Sequence, residues 1–150
     1  MISRFERFSS DIFRIYRCWH KIASDEMKKY GLKGPHAVYL VTMFRYADGI
    51  TAAKLGELCS KDKSDVSRSI TFMERKGLVT RECVNQNFYR ALLKLTDNGK
   101  KAAERIGERA RVAVEIAGKE ISDKNRTIFY ETLELISSNL QTISEEGLPK

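Results

Sequence analysis

The chain has 150 residues, of which 42% are hydrophobic and 31% charged, a composition that fits one globular domain and excludes a disordered chain. No run of eighteen apolar residues occurs, and charged residues interrupt the N-terminal segment. We therefore expect neither a membrane-spanning helix nor a secretory signal peptide. The formal net charge is +7, which favours a polyanionic partner.

The positive charge is concentrated in the first two thirds of the chain. Residues 1–50 contain nine Lys and Arg against five Asp and Glu, and residues 51–101 contain eleven against six. Residues 102–150 contain seven against nine, a small negative balance. A basic surface confined to one part of a protein suggests that this part binds nucleic acid.

Three scattered cysteines and two histidines offer little for a disulfide framework or a metal centre. An odd, dispersed set of thiols is typical of the reducing cytoplasm, and the motifs CxxC and HExxH are absent. GxSxG and a glycine-rich phosphate-binding loop are absent as well. We therefore expect a cytoplasmic protein that is not an enzyme and that carries no metal or cofactor.

The first predicted element is a long amphipathic helix from Ser3 to Tyr30, ending at Gly31. Its apolar residues recur every three to five positions, as a wide apolar face requires. These residues are Phe5, Phe8, Ile12, Ile15, Trp19, Ile22 and Met27.

The second predicted helix follows Pro35 and has the sequence HAVYLVTMFRYA. It is apolar on nearly all sides, so we expect it to be the buried central helix, with His36 either capping the helix or solvated at its start. Thr51 is a good N-cap for a short third helix, AAKLGELCS, and Asp62 is a good N-cap for a fourth. That fourth helix is predicted to stop at Gly77.

Two strands, LVTRECV and YRALLKLT, are joined by the polar tip NQNF and predict a β-hairpin. Thr96 then caps a long Ala-rich helix. The last helix has apolar residues alternately four and three positions apart, which is typical of a coiled-coil-like contact. The first and the last two helices carry more apolar surface than the middle of the chain can cover. This excess predicts symmetric self-association through residues 1–35 and 97–150.

Two short helices joined by a capped turn and followed by a hairpin predict a winged helix-turn-helix. The predicted fold is therefore mainly α with a small β-hairpin wing, and residues 36–96 form the DNA-binding region. The outer face of the fourth helix carries small hydroxyls and one arginine, which suit the major groove of DNA. The candidate DNA-contacting residues around this helix are Lys61, Lys63, Ser64, Ser67, Arg68 and Thr71.

The sequence resembles the MarR family of transcriptional regulators. The resemblance rests on Thr51 with AAKLGELC, on KDKSDVSRSITFMERKGLV and on LLKLTDNGKK, in a helix order that extends it over nearly the whole chain. It implies a homodimer joined through the terminal helices, with each fourth helix in a major groove of double-stranded DNA and each wing beside a minor groove. It also implies that a small, often phenolic effector binds between the two parts and releases the DNA.

The wing departs from the family pattern. MarR-family wings commonly carry an Asp-x-Arg pair near the tip, whereas the matching positions here are Asn87 and Tyr89, with Arg90 one step later. Because side chains alternate along a strand, Arg90 faces the required side only if the hairpin register shifts. Arg90 and Arg81 are the two candidates for the minor-groove contact. The altered wing and Phe72, at an outward position where a polar residue is expected, together leave open a second hypothesis, a winged-helix module that binds proteins.

Side chains of the first two helices suggest two further roles. Tyr16, Trp19, Tyr39 and Met43 are candidates for the lining of a pocket for a small aromatic effector. Cys18 is a candidate peroxide-sensing thiol, as in the redox branch of the family, with packing as the simpler interpretation.

Overall fold

A computed structural model of the protein describes residues 2–84 and 87–149. The elements are α1 (Arg4–Met27) continued by a 3-10 helix (Lys28–Tyr30), α2 (His36–Phe44), β1 (Ile50–Thr51), α3 (Ala52–Cys59), α4 (Lys63–Arg75), β2 (Val79–Val84), β3 (Asn87–Leu95), α5 (Asp97–Ala117) and α6 (Asp123–Glu146). The predicted fold class, mainly α with a small β-hairpin wing, is confirmed. The predicted hairpin tip lies partly outside the described residues. Of the described helices, none is long and apolar enough to cross a membrane.

Two compact units make up the chain, residues 1–110 and 111–150. In the first unit, α2, α3 and α4 pack around a core completed by the end of α1, the sheet and the start of α5. Fully buried side chains of this core include Met27, Tyr39, Leu40, Leu55, Ile70, Met73 and Leu93. The sheet is antiparallel in the order β1-β3-β2. The two-residue strand β1 was not predicted, because so short a segment has no alternation to recognise.

Side-chain caps begin the helices of the helix-turn-helix where the sequence predicts them. Thr51 Oγ1 accepts the backbone N–H of Lys54 at 3.2 Å, and Asp62 Oδ1 accepts that of Asp65 at 2.8 Å. Gly77, with φ of 71°, lies just past the end of α4, in the left-handed conformation that ends many helices. These local signals fix where α4 starts and stops.

The helix α2 is less buried than its composition predicts. Tyr39, Leu40 and Met43 belong to the core, but Val38 and Phe44 are exposed on the other side. An all-apolar helix implies burial on every side. The exposed side of α2 is therefore an apolar surface that is not buried in the core of the first unit.

The second unit contains α6 and the preceding turn. Ser122 caps α6 by accepting the backbone N–H of Asn125 at 3.3 Å, and Arg126 donates to the carbonyl of Gly118 at 2.8 Å. No residue of α6 is buried. Its large exposed apolar side chains are Ile128, Phe129, Tyr130, Leu133, Leu135, Leu140 and Ile143.

The junction of β2, β3 and α5 depends on close backbone contact at Gly99. Thr96 Oγ1 accepts the N–H of Gly99 at 3.0 Å, and the backbone N–H of Thr96 donates to the carbonyl of Leu78 at 3.0 Å. A Cβ at position 99 would collide with that same carbonyl oxygen. Only glycine lets α5 start this close to the segment that precedes β2.

We predict that Gly99→Ala lowers the free energy of unfolding by about 1–3 kcal/mol, because overpacking against backbone outweighs the better helix propensity of alanine. Gly107→Ala in the same helix is the matched control, since nothing lies within 4 Å of a Cβ there. We expect the control to stabilise by about 0.5–1 kcal/mol. Urea unfolding followed by circular dichroism measures both. Equal stability of the two variants would contradict the proposed clash.

Candidate nucleic-acid interface

The helix α4 divides into a buried and an exposed face. Val66, Ile70 and Met73 are buried, as the sequence predicts. Ser64, Ser67 and Arg68 are exposed, and Thr71 is half-buried. The exposed face is therefore a strip of small hydroxyl side chains with one guanidinium, narrow enough for a DNA groove.

The orientation of α4 is set by a polar contact at its first turn. Tyr39 of α2 is fully buried, and its hydroxyl donates to the carboxylate of Asp65. Ser69, one turn along α4, also donates to Asp65, at 3.3 Å. The hydrogen bond from Tyr39 is the main cause that holds the pKa of Asp65 below its usual value, while burial raises the pKa of Tyr39. The contact fixes which face of α4 turns outward.

The cations near α4 fall into two groups. Arg81 of β2 is engaged: its Nε lies 2.9 Å from Glu74 Oε2, and its Nη2 donates to Thr71 Oγ1 at 3.3 Å. In contrast, Lys61, Lys63 and Arg68 form no ion pair among the described residues. The unpaired cations lie at the start and on the outer face of α4, where a phosphate or a base edge can reach them.

A groove runs beside these cations between α3 and α4. It has a volume of about 470 Å³ and is lined on one side by Ala52, Ala53, Gly56 and Glu57. Its opposite wall consists of Lys61, Lys63, Val66, Ser67, Ile70 and Arg81. Four of the candidate DNA-contacting residues therefore lie together at this groove: Lys61, Lys63, Ser67 and Arg81.

The hairpin has an irregular register next to Arg90. Glu82 pairs with Leu92, whereas Val84 pairs with Asn87, so β3 advances five residues while β2 advances two. Arg90 lies in this stretch and is exposed. The ladder is therefore irregular beside Arg90, which stays a candidate, while Arg81, the other candidate, is already bound by Glu74.

Phe72 does not occupy the outward position predicted for it. Its ring is half-buried against the core and stacks on His36, with ring centroids 5.3 Å apart and planes 24° from parallel. His36 is buried rather than solvated, and Lys76 Nζ lies 5.5 Å from the centroid of the Phe72 ring. Packing between α2 and α4 therefore accounts for Phe72, and the argument for a protein-binding surface there is removed.

The residues predicted to line an effector pocket are not all together. Tyr39 and Met43 are buried in the core, where the hydroxyl of Tyr39 donates to Asp65 of α4. Tyr16 is exposed on α1. Trp19 lines a cleft of about 480 Å³ whose other walls come from α1, α2, α3 and α5. Of the four residues, only Trp19 lines this cleft.

The cysteines differ in environment. Cys18, the candidate redox thiol, is exposed on α1. Cys59 at the end of α3 is buried, with its Sγ 3.5 Å from Thr42 Oγ1, and burial raises the pKa of its thiol. A raised pKa keeps a thiol protonated and less reactive. Cys59 therefore serves packing between α2 and α3.

Comparison with solved structures identifies the architecture. A MarR-family transcriptional regulator from Listeria monocytogenes complexed with a 26mer DNA superposes with a TM-score of 0.82, covering 100% of this chain and 99% of its own, at 22% identity. A MarR transcriptional regulator from Methanosarcina mazei Go1 gives 0.78, covering 92% and 99%, at 24% identity. The MarR protein from Peptoclostridium difficile gives 0.82, covering 95% and 94%, at 19% identity.

This chain has the MarR fold. The resemblance inferred from its sequence is thus confirmed at the level of the structure. No protein-family model matches the sequence, and no curated protein matches it significantly. Within the MarR fold, α4 is the second helix of the helix-turn-helix and β2–β3 is the wing.

Three carboxylates, two at the interface and one in the cleft, are not predicted from the sequence. Asp65 holds the hydroxyl of Tyr39, Glu74 holds Arg81, and Glu26 lines the cleft with Trp19. Carboxylates on helices are usually solvated, so an Asp or Glu in the sequence does not show that it makes a specific contact. A clue for Asp65 was available, since it lies one residue before the buried Val66, at the edge of the buried face.

We predict that the stability of the protein falls as the pH is lowered through the titration of His36. Its Nδ1 accepts the backbone N–H of Lys33 at 3.1 Å, so the ring must be neutral there. Burial, aided by the charge of Lys33 and opposed by that of Asp65, lowers the pKa of His36 below 6.5. The unfolded chain thus binds the proton more readily. The stabilisation is complete above pH 6.5 and decreases below it.

Urea unfolding at pH 8.0 and 5.5 measures this effect. His36→Asn places an amide oxygen where Nδ1 lies, so it keeps an acceptor for Lys33 and should reduce the pH dependence. His20→Asn is the matched control, because His20 is the other histidine of the chain and is exposed. A control that flattens the profile as much as His36→Asn would show that His36 is not the source.

Proposed function

We propose that this protein is a cytoplasmic, sequence-specific DNA-binding transcriptional regulator of the MarR family that acts as a repressor. The observation that carries the proposal is the outer face of α4, where exposed Ser64, Ser67 and Arg68 follow Lys61 and Lys63, and where Arg68 has no ion-pair partner in the described part of the chain. Small hydroxyls let a helix enter the major groove, and an arginine there binds a guanine edge or a phosphate. The Listeria protein of the same fold, complexed with a 26mer DNA, supports this use of the fold.

The protein acts as a homodimer through residues 1–35 and 97–150, with residues 36–96 as the DNA-binding region. Support comes from apolar side chains that the single chain leaves in solvent: on α1, Phe5 is 76% and Phe13 is 72% exposed. The helix α6 has a similar apolar surface and no buried residue. Apolar surfaces of this extent mark protein–protein contacts. A twofold dimer would then read a near-palindromic operator with half-sites about 10 bp apart.

A small molecule that occupies the cleft beside Trp19 regulates DNA binding. The cleft is of ligand size, about 480 Å³, and α2 forms part of its wall through Ala37, Val38, Val41 and Thr42, with Arg45 just after the helix. The same helix holds Asp65 of α4 through Tyr39. A ligand that moves α2 would therefore change the position of α4, and release of the operator is the expected response.

We predict that Arg68→Ala weakens operator binding by about 1–3 kcal/mol, because one good arginine contact to a base is worth that much. The operator is first obtained by selecting bound sequences from random duplex DNA, and affinity is then titrated at several salt concentrations. If Arg68 reads a base, the variant also loses preference at one operator position. If it binds phosphate, the loss is uniform across sequences and the salt slope falls by about one.

Arg105→Ala is the control, because it removes an exposed arginine of α5 that is paired with Glu108 at 3.0 Å, outside the candidate interface. We expect unchanged operator affinity. Wild-type binding that is insensitive to salt, or an Arg68→Ala variant that matches Arg105→Ala, would argue against the DNA-binding proposal.

We predict that Leu140→Glu on α6 raises the dimer dissociation constant at least about tenfold, since an unpaired carboxylate in an apolar interface costs more than about 1.4 kcal/mol. Leu140 is 49% exposed in the single chain. Asn139→Glu adds the same charge one residue away and should leave the dimer intact. Light scattering after size-exclusion chromatography measures the mass. A wild-type protein that is monomeric at all concentrations refutes the dimer.

A further inference from the structure

One hydroxyl on the outer face of α4 differs from its neighbours in how it is held. Thr71 lies one turn after Ser67 and two turns after Ser64, so the three share the face proposed to meet DNA. Thr71 Oγ1 accepts from Arg81 Nη2 at 3.3 Å, whereas the two serine hydroxyls make no hydrogen bond in the described part of the chain. The serine hydroxyls can therefore turn freely, while that of Thr71 is held by a strand of the wing.

Glu74 fixes the guanidinium that holds Thr71. It lies almost one turn further along α4, and its Oε2 is 2.9 Å from Arg81 Nε. Both side chains are partly buried, with 36% of Arg81 and 30% of Glu74 exposed, so solvent screens this pair less than a fully exposed one. The carboxylate takes Nε and the hydroxyl takes Nη2, which anchors the planar guanidinium twice on one helix. Rotation of Arg81 toward a phosphate would break both contacts.

The proton of the Thr71 hydroxyl is the group left to act. A threonine in a helix can return this proton to the carbonyl one turn back, as Thr127 and Thr142 do in α6 at 3.1 Å and 3.2 Å. Among residues 2–84 and 87–149, no such bond joins Thr71 to its own helix. The guanidinium that donates to Oγ1 strengthens the hydroxyl as a donor, because successive hydrogen bonds polarise one another. Thr71 is therefore prepared to donate outward.

An outward donor distinguishes the bases of DNA by their acceptors. In the major groove guanine presents O6 and N7, and thymine presents O4, whereas cytosine presents only an amino donor. The positive charge of Arg81 beside Oγ1 also opposes the approach of an amino group. A hydrogen bond from Thr71 should therefore favour guanine or thymine at the base that it meets, and disfavour cytosine.

We propose that Arg81 is a positioning residue for sequence recognition: held by Glu74, it orients the Thr71 hydroxyl as a donor to an acceptor on a base edge, and it does not itself bind the DNA. The inference rests on the proposed function, because it assigns a determinant of specificity within the same interface. It differs from a phosphate contact by Arg81, which would leave the sequence preference unchanged.

The test measures base preference at each operator position. The operator is selected from random duplex DNA, and the affinity for every single-base substitution is measured by competition at one salt concentration. Thr71→Val removes the hydroxyl and keeps the shape, so it should flatten the preference at one position of each half-site. There the wild type should favour guanine or thymine over cytosine by about fivefold, the worth of one such hydrogen bond. Thr71→Ser keeps the hydroxyl and should keep the preference.

A preference for cytosine at the position that Thr71→Val flattens would overturn the proposal, and so would the absence of any flattened position.

Arg81→Ala separates positioning from direct contact. Its loss of preference should fall at the same position as that of Thr71→Val, and the double variant should lose no further preference there, because both changes remove one hydrogen bond. A loss that is uniform across sequences, with a lower salt slope, would show that Arg81 binds phosphate. Lower thermal stability with unchanged base preference would show a structural role only. Either result overturns the proposal.

Glu74 is tested by a conservative and a disruptive change. Glu74→Gln keeps an acceptor for Arg81 Nε and should keep the preference, whereas Glu74→Ala frees the guanidinium and should weaken it. Lys94→Ala is the matched control, because it breaks a comparable pair of the wing, Lys94 with Glu82 at 2.8 Å, in which no residue of α4 takes part. It should keep the wild-type preference. A Glu74→Ala variant that behaves like this control contradicts the role of Glu74.

Circular dichroism shows which variants are folded. If Arg81→Ala is not, Glu74→Ala decides, since it releases the same guanidinium. If an operator is selected and the preference is independent of Arg81 and Glu74, only this inference falls. If no operator is found, the proposed function fails and the inference falls with it.

Discussion

The contact between Tyr39 and Asp65 is the constraint on which the presentation of α4 depends. The hydroxyl of Tyr39 is in the core, where an unpaired donor is costly, and its partner is the carboxylate in the first turn of α4. If α4 rotated about its axis, the donor would lose this partner and Val66 and Ile70 would leave the core. The exposed serines and Arg68 therefore face outward because the opposite side of the helix keeps the hydrogen bond from Tyr39 and buries Val66 and Ile70.

The helix α2 takes part both in the contact between Tyr39 and Asp65 and in the wall of the cleft beside Trp19. One side of it supplies Tyr39 and Met43 to the core, and the other supplies Val38 and Val41 to the cleft wall. Thr42 adds a contact to Cys59 at the end of α3. Close-packed interiors respond to displacement as connected bodies, so a shift of α2 reaches both helices of the helix-turn-helix. This contiguity is the physical basis for the proposed response to an effector.

Sequence predicted the fold well because its signals are local. Caps at Thr51 and Asp62, the stop at Gly77 and the apolar spacing of α4 each act within a few residues, and each was placed correctly.

Contacts between two different elements were not predictable from the sequence. Tyr39 and Met43 were assigned to a pocket because an aromatic at helical spacing does not say which side of α2 faces the core. Phe72 was placed outward because its partner, His36, is distant in the chain. Arg81 is a candidate DNA contact in the sequence, and nothing local to it shows that Glu74 of another element binds it.

A cation that is already in an ion pair should contribute less to the proposed DNA contact than one that is not. Arg81 and Lys94 on the strands are bound by Glu74 and Glu82, and either must give up a carboxylate before it meets a phosphate. Such an exchange between exposed pairs gains little. Lys61, Lys63 and Arg68 have no such partner among the described residues and lose only water and counterions. Affinity should therefore depend mainly on α4 and its preceding turn, with Arg90 as the candidate contribution of the wing.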